Sequence, residues 1–147
     1  MEARFETFTV LISKISRNIK RIKNMEMAEY GLRSIHVSCI YYLYSAEALT
    51  SKELCDRCEE DKATISRSLE YLEENGFITI NSGSTKRYRC PIRLTEKGLV
   101  AGKRIAEKIS FVLNEFCVGL SEAERLEFYR CLNIINDSLE QCVNNIK

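Results

Sequence analysis

A chain of 147 residues, 45% hydrophobic and 29% charged, has the balance of one ordinary globular unit and excludes a disordered or low-complexity polymer. Its net charge of +1 gives no global pull on a polyanion, so such a partner would have to be drawn by a local basic patch. No apolar run approaches the ~18 residues of a membrane span and the N-terminus lacks a signal-peptide core, so a cytoplasmic protein is expected. The seven cysteines are scattered through helical patterns rich in aliphatic residues, which favours reduced thiols packed as small hydrophobes over a disulfide scaffold.

Phe5, Phe8, Ile12, Ile15, Ile19 and Ile22 recur at alternating spacings of three and four, with Lys14, Arg17, Lys20, Arg21 and Lys23 on the other faces. This predicts a long amphipathic helix that needs a helical partner. The period lapses from Met25 to Leu32, which includes Gly31, and Ser34 is placed to cap a helix through Val37, Ile40, Tyr41 and Tyr44. Thr50-Ser51-Lys52-Glu53 is a capping box that opens a short helix to about Cys58, and the extended Glu47-Ala48-Leu49 before it is a candidate third strand.

Only Glu59 and Glu60 precede Asp61, the expected N-cap of the next helix. Ile65, Leu69 and Leu72 give that helix one apolar stripe, and it ends near Asn75-Gly76. Two short helices joined so tightly form a helix-turn-helix. The outward face of the second shows Lys62, Thr64, Ser66, Arg67 and Glu70, which combines charge for phosphates with hydrogen-bonding groups for base edges. Phe77 to Ile80 and Tyr88 to Leu94 are rich in β-branched and aromatic residues, and turn-forming residues separate them, so they predict a hairpin. Its tip and returning strand carry Lys86, Arg87, Arg89 and Arg93 with no acid, while Pro91 removes a ladder donor and demands an edge or a bulge.

Leu99, Gly102, Ala106, Ile109, Leu113 and Phe116 repeat the three-four spacing in a second long helix. A capping box, Ser121 to Glu124, opens a last one striped by Phe128, Leu132, Ile135, Leu139, Cys142 and Ile146. The fold class is therefore mainly α, an α+β winged helix: a winged helix-turn-helix core over residues 31–94 within a single unit of 1–147. Helical parts at 1–27 and 96–147 are left with apolar faces, which most simply bury one another and a second copy in a homodimer.

Asp61-Lys62-Ala63-Thr64-Ile65-Ser66-Arg67, Leu72-Glu73-Glu74-Asn75-Gly76-Phe77-Ile78 and Leu94-Thr95-Glu96-Lys97-Gly98, in this order and spacing, resemble the MarR (multiple antibiotic resistance regulator) family over essentially the whole chain. The resemblance implies a dimer with interlocked terminal helices that binds a pseudo-palindromic DNA operator, usually as a repressor. Many members release DNA when a small aromatic or phenolic effector binds between the dimerisation and DNA-binding parts. By position, Thr64, Ser66 and Arg67 match the family's base and phosphate contacts, and His36 matches a polar position near the DNA backbone. The wing departs from the family pattern, whose Asp-x-Arg pair sends an Arg into the minor groove. Here Ser82 to Arg87 holds no acid, so Lys86 or Arg87 would take over that contact.

Other readings stand beside this one. Tyr41, Tyr42 and Tyr44 with Phe8 and Ile12 could line an effector cleft, although aromatics of this kind mostly serve a core. Cys55-Asp56-Arg57-Cys58 has the spacing of a redox or metal pair, but there is no second such pair and His36 is the only histidine, so no metal or other cofactor is expected. A lone histidine without a phosphate loop or nucleophile motif argues against an enzyme. The remaining alternatives are a winged-helix module that binds protein, an architectural DNA binder, and a thiol-responsive version of the regulator.

Overall fold

Apolar periodicity becomes helix almost throughout the chain. In the computed structural model, which describes residues 6–81, 83, 86–116 and 119–146 except for the side chains of Glu6, Arg87 and Phe116, a π-helical turn at Glu6–Val10 runs into α1, Leu11–Glu26. Phe5, the Phe116 side chain, Cys117, and Ser82, Ser84, Thr85 and the Arg87 side chain of the wing lie outside the described residues. A 3-10 turn at Ala28–Tyr30 leads to α2, Ser34–Ala46, then α3, Ser51–Cys58, and α4, Lys62–Glu74. Strands β1, Ile78–Ile80, and β2, Ile92–Leu94, follow, then α5, Glu96–Phe116, and α6, Glu122–Asn145.

Residues 1–106 form one compact unit and residues 107–147 a second. The core of the first is built from Leu43, Leu54, Ile65, Leu72, Ile78, Ile92 and Ile105, each at most 2% exposed. Burial on this scale contributes ~1.5–3 kcal/mol per aliphatic side chain. β1 and β2 pair antiparallel, Ile78 opposite Leu94 and Ile80 opposite Ile92. Leu49 adds a single bridge to Ile92, its N–H and C=O both engaged at 3.2 and 2.8 Å, so the expected third strand is reduced to one residue pair.

Three expectations are corrected. Ser34 is the first residue of α2 and not its cap: Arg33 holds the N-cap position, its N–H donates to His36 Nδ1 at 3.1 Å, and Asn24 Oδ1 accepts from Ser34 N–H at 2.6 Å. The returning arm of the hairpin is strand only from Ile92, because Arg87–Arg89 forms a 3-10 turn and Pro91, lacking an N–H, stands just outside the ladder. The first half of α5 buries Gly98, Ala101, Gly102 and Ile105, while Leu99 is turned out to solvent. Small residues won this face because the neighbours come close: a Cβ at Gly98 would collide with the Phe77 carbonyl oxygen, and one at Gly102 would press into the Tyr44 ring at 2.8 Å.

The second unit carries α6. Ser121 Oγ accepts from Glu124 N–H at 3.3 Å and Glu124 Oε2 accepts from Ser121 N–H at 2.8 Å, the expected capping box. No residue of α6 is buried, and Phe128, Leu139 and Ile146 are 45%, 52% and 85% exposed. In the first unit α1 likewise buries none of its residues.

Candidate nucleic-acid interface

α4 is fixed at both ends by its own sequence. Asp61 Oδ1 accepts from Thr64 N–H at 2.7 Å, and hydrogen bonds from the Thr64 amide and hydroxyl hold the Asp61 carboxyl below the usual carboxylate range. At the other end Phe77 N–H donates to Leu72 O at 2.8 Å and Gly76 N–H to Glu73 O at 3.0 Å, with Gly76 at φ 74°, the left-handed position a Schellman stop requires. Ile65, Leu69 and Leu72 point inward as the spacing requires, and Ser68 joins them, its hydroxyl donating to Thr64 O at 2.9 Å.

Lys62, Ser66, Arg67 and Glu70 are left exposed and Thr64 half-buried. Arg67 Nη2 donates to Thr64 Oγ1 at 3.3 Å, so the guanidinium rests along its own helix, one swing away from an incoming phosphate or base. Lys62 at the start of the helix lies over the Tyr88 ring, Nζ 5.9 Å from its centroid, and Arg89 covers the same ring at 5.4 Å. Tyr88 is 46% exposed and links the front of α4 to the base of the wing. Sequence reasoning had Tyr88 only as a strand residue; its signal was an aromatic between two arginines. Lys86 is exposed beside it, and its carbonyl accepts from Arg89 N–H at 2.9 Å.

His36 is placed differently from the exposed cluster. Its ring is 7% exposed and stacks on Tyr71 of α4, centroids 4.4 Å apart and planes within 5°. Nδ1 accepts the Arg33 N–H, so it carries no proton, and burial, with the Arg33 charge second, holds the imidazole below its ordinary value. Tyr71 in turn donates to Gly31 O at 2.8 Å. The pair braces α4 against the connector that precedes α2. Neither contact has a signature in sequence, since Gly31 and Tyr71 are forty residues apart.

The motif that closes the wing has a structural role of its own. Thr95 Oγ1 donates to Gly76 O at 2.6 Å and accepts from Gly98 N–H at 3.1 Å, so one hydroxyl caps α5 and ties it to the end of α4. Lys97 Nζ reaches Asn75 O at 2.7 Å and lies 4.3 Å from the centre of the Phe77 ring.

Of the expected effector residues, Phe8 lies in the π-helical turn, Ile12 on α1, and Tyr41 and Tyr44 on α2. Tyr41 is half-buried and meets Tyr42 edge-on at 5.6 Å, while Tyr44 packs over Gly102 of α5. Phe8 and Ile12 are 39% and 41% exposed. Among the described residues no cluster of three or more His, Cys, Asp or Glu side chains could hold a metal, and no helix is long and apolar enough to cross a membrane.

Paired short helices backed by a two-stranded wing define a winged helix-turn-helix protein. Residues 30–87 match the model of the MarR family. An uncharacterized HTH-type transcriptional regulator of Bacillus subtilis, YwoH, is 28% identical over 58% of this chain, and the match spans 62% of that relative's length. Of the solved structures, a MarR family regulator from Neisseria meningitidis superposes with a TM-score of 0.82 at 16% identity, covering 98% of this chain and 99% of that one. The S. aureus MepR–DNA complex gives 0.79 at 21% identity, covering 90% and 97%. The family match is thus confined to the winged-helix core, and the chain as a whole shares the fold of solved MarR family regulators.

Proposed function

We propose that this protein is a dimeric, sequence-specific DNA-binding transcriptional regulator, a repressor that a small aromatic effector releases from a pseudo-palindromic operator. The observation that carries the DNA reading is the outward face of α4. Lys62, Ser66 and Arg67 stand exposed on a helix whose other face is locked in the core, and Tyr88 joins that face to the wing bearing Lys86 and Arg87. A rigid helix with donors for base edges and cations for phosphates, flanked by a basic turn, has the composition that major-groove readout needs. MepR, a relative in fold, is a protein solved on DNA. Thr64 contributes through its hydroxyl, and His36, buried against Tyr71, contributes by holding α4 in place instead of through the expected contact with the DNA backbone.

Dimerisation supplies the second half-site. Phe8 in the π-helical turn, the unburied apolar residues of α1, among them Ile12, Ile15 and Ile19, and those of α6 leave more apolar surface than a monomer comfortably exposes. Two copies would present α4 to successive major grooves about 34 Å apart. An effector would act on that spacing from a site lined by Phe8, Ile12, Tyr41 and Tyr44.

A mobility shift with the DNA flanking the protein's own coding region, run against random competitor at two salt concentrations, tests the reading. The expected result is retained binding to the flanking DNA under competition, and a steep fall with salt as phosphate counterions are exchanged. Binding that ignores salt would instead mark a protein-docking module, and equal competition by random DNA would mark an architectural binder. Sedimentation at micromolar protein checks the dimer, which a monomeric boundary would rule out.

A further inference from the structure

The cysteine pair suggested by sequence, Cys55 and Cys58, is not the pair that the fold brings together. Cys58 closes α3 and its sulfur lies 4.0 Å from that of Cys39, which projects from the middle of α2. Cys39 is fully buried, and Cys58 is half-buried and open to a small reagent. We propose that Cys39 and Cys58 form an oxidisable dithiol, in which a hydroperoxide converts Cys58 to a sulfenic acid that Cys39 resolves into a disulfide linking α2 to α3.

The two thiols are unequal in the way this chemistry requires. The two sulfurs share a hydrogen bond in which either can donate, and that contact, with the Lys23 ammonium nearby, favours the Cys58 thiolate against its partial burial. The same hydrogen bond and deep burial push the Cys39 thiol up, so it stays protonated. Lys23 is held on this side of the molecule by donating to Ser38 Oγ at 3.1 Å, next to Cys39 in sequence. Burial and the Asp56 carboxylate push Cys55 up, which leaves Cys58 as the nucleophile. In the first step the Cys58 thiolate attacks the hydroperoxide, an S–O bond forms as the O–O bond breaks, and the alkoxide leaves as an alcohol on taking a proton. In the second the Cys39 sulfur attacks Cys58, the S–S bond forms as S–O breaks, and the departing hydroxide takes the Cys39 proton as water.

Bond formation needs the sulfurs to close from 4.0 Å to ~2.05 Å. The closure is accessible because Cys58 is the last residue of its helix and Glu59 beyond it already sits at φ 55°, so this end can shift without breaking interior helix bonds. Cys39, within α2, is the fixed partner. Glu59, Glu60 and Asp61 then connect Cys58 to α4, so a displaced α3 end moves the N-cap of the reading helix. This last consequence rests on the DNA-binding reading; the thiol chemistry does not.

The test treats full-length reduced protein with one equivalent of hydrogen peroxide, alkylates it, and maps a non-reducing digest by mass spectrometry. The expected product is a peptide pair joined through Cys39 and Cys58, lighter by about 2 Da and separated by dithiothreitol. Cys55→Ser should retain the link, and Cys39→Ala should accumulate a dimedone-reactive sulfenic acid at Cys58. Because Cys39 is a core residue whose variant can misfold, the wild-type map decides: unlinked Cys39 and Cys58, or a link from Cys58 to Cys55, overturns the proposal. Linked and reduced protein are then compared on operator DNA. Weaker binding by the linked form is expected, and equal binding overturns the coupling to DNA. If the reduced protein binds no DNA at all, the regulator reading fails while the linked peptide still stands.

Discussion

α4 and the wing sit side by side but are held by different means. α4 has a side-chain cap at one end, a left-handed glycine stop at the other, three apolar residues in the core and an aromatic brace to the α1–α2 connector. The wing has a three-residue strand on each side, one bridge to Leu49 and a 3-10 turn leaning on Lys62 through Tyr88. A rigid helix can discriminate bases because its donors have fixed positions, whereas a lightly held arm mainly contributes charge. Specificity is therefore expected to lie in α4 and general affinity in the wing.

The comparison is broken most severely by removing what fixes α4. Leu72→Ala, at a fully buried position, should cost ~2–5 kcal/mol of folding stability in denaturant titration, since the core cannot collapse onto the lost volume. Arg67→Ala should leave stability unchanged and cost ~1–3 kcal/mol of operator affinity with little loss on random DNA. Equal losses on both would move base readout away from this residue. Tyr71→Phe keeps the stack on His36 but removes the hydrogen bond to Gly31, and ~0.5–1.5 kcal/mol of stability should go with it. Lys86→Ala should weaken binding to all sequences alike and lower the salt slope by about one; a sequence-selective loss would give the wing a reading role.

The mildest test is one of pH. The folded protein holds His36 below its ordinary pKa of 6.5, so on acidification the unfolded chain takes up a proton that the folded chain refuses. The stability from keeping His36 neutral is full above about pH 6.5 and declines as the pH falls toward the lowered folded value. Chemical denaturation across this window should show the decline, and His36→Gln should flatten it. An unchanged slope in the variant would assign the acid sensitivity to carboxylates such as Asp61.

Sequence alone determined much of this molecule where the determining interactions are local. The caps at Thr50, Asp61 and Ser121 and the stop at Gly76 involve groups three to five residues apart, and the stripe of Ile65, Leu69 and Leu72 is a matter of helical period. The outward set of Lys62, Ser66 and Arg67 followed from that stripe. Tertiary structure decided the rest because it depends on distances between elements. It chose the small-residue face of α5 over Leu99, turned His36 inward onto Tyr71, shortened β2 at Pro91, set Tyr88 between Lys62 and Arg89, and paired Cys58 with Cys39 instead of Cys55. Periodicity says which residues share a face of one element; which neighbour that face meets is settled only when the elements pack.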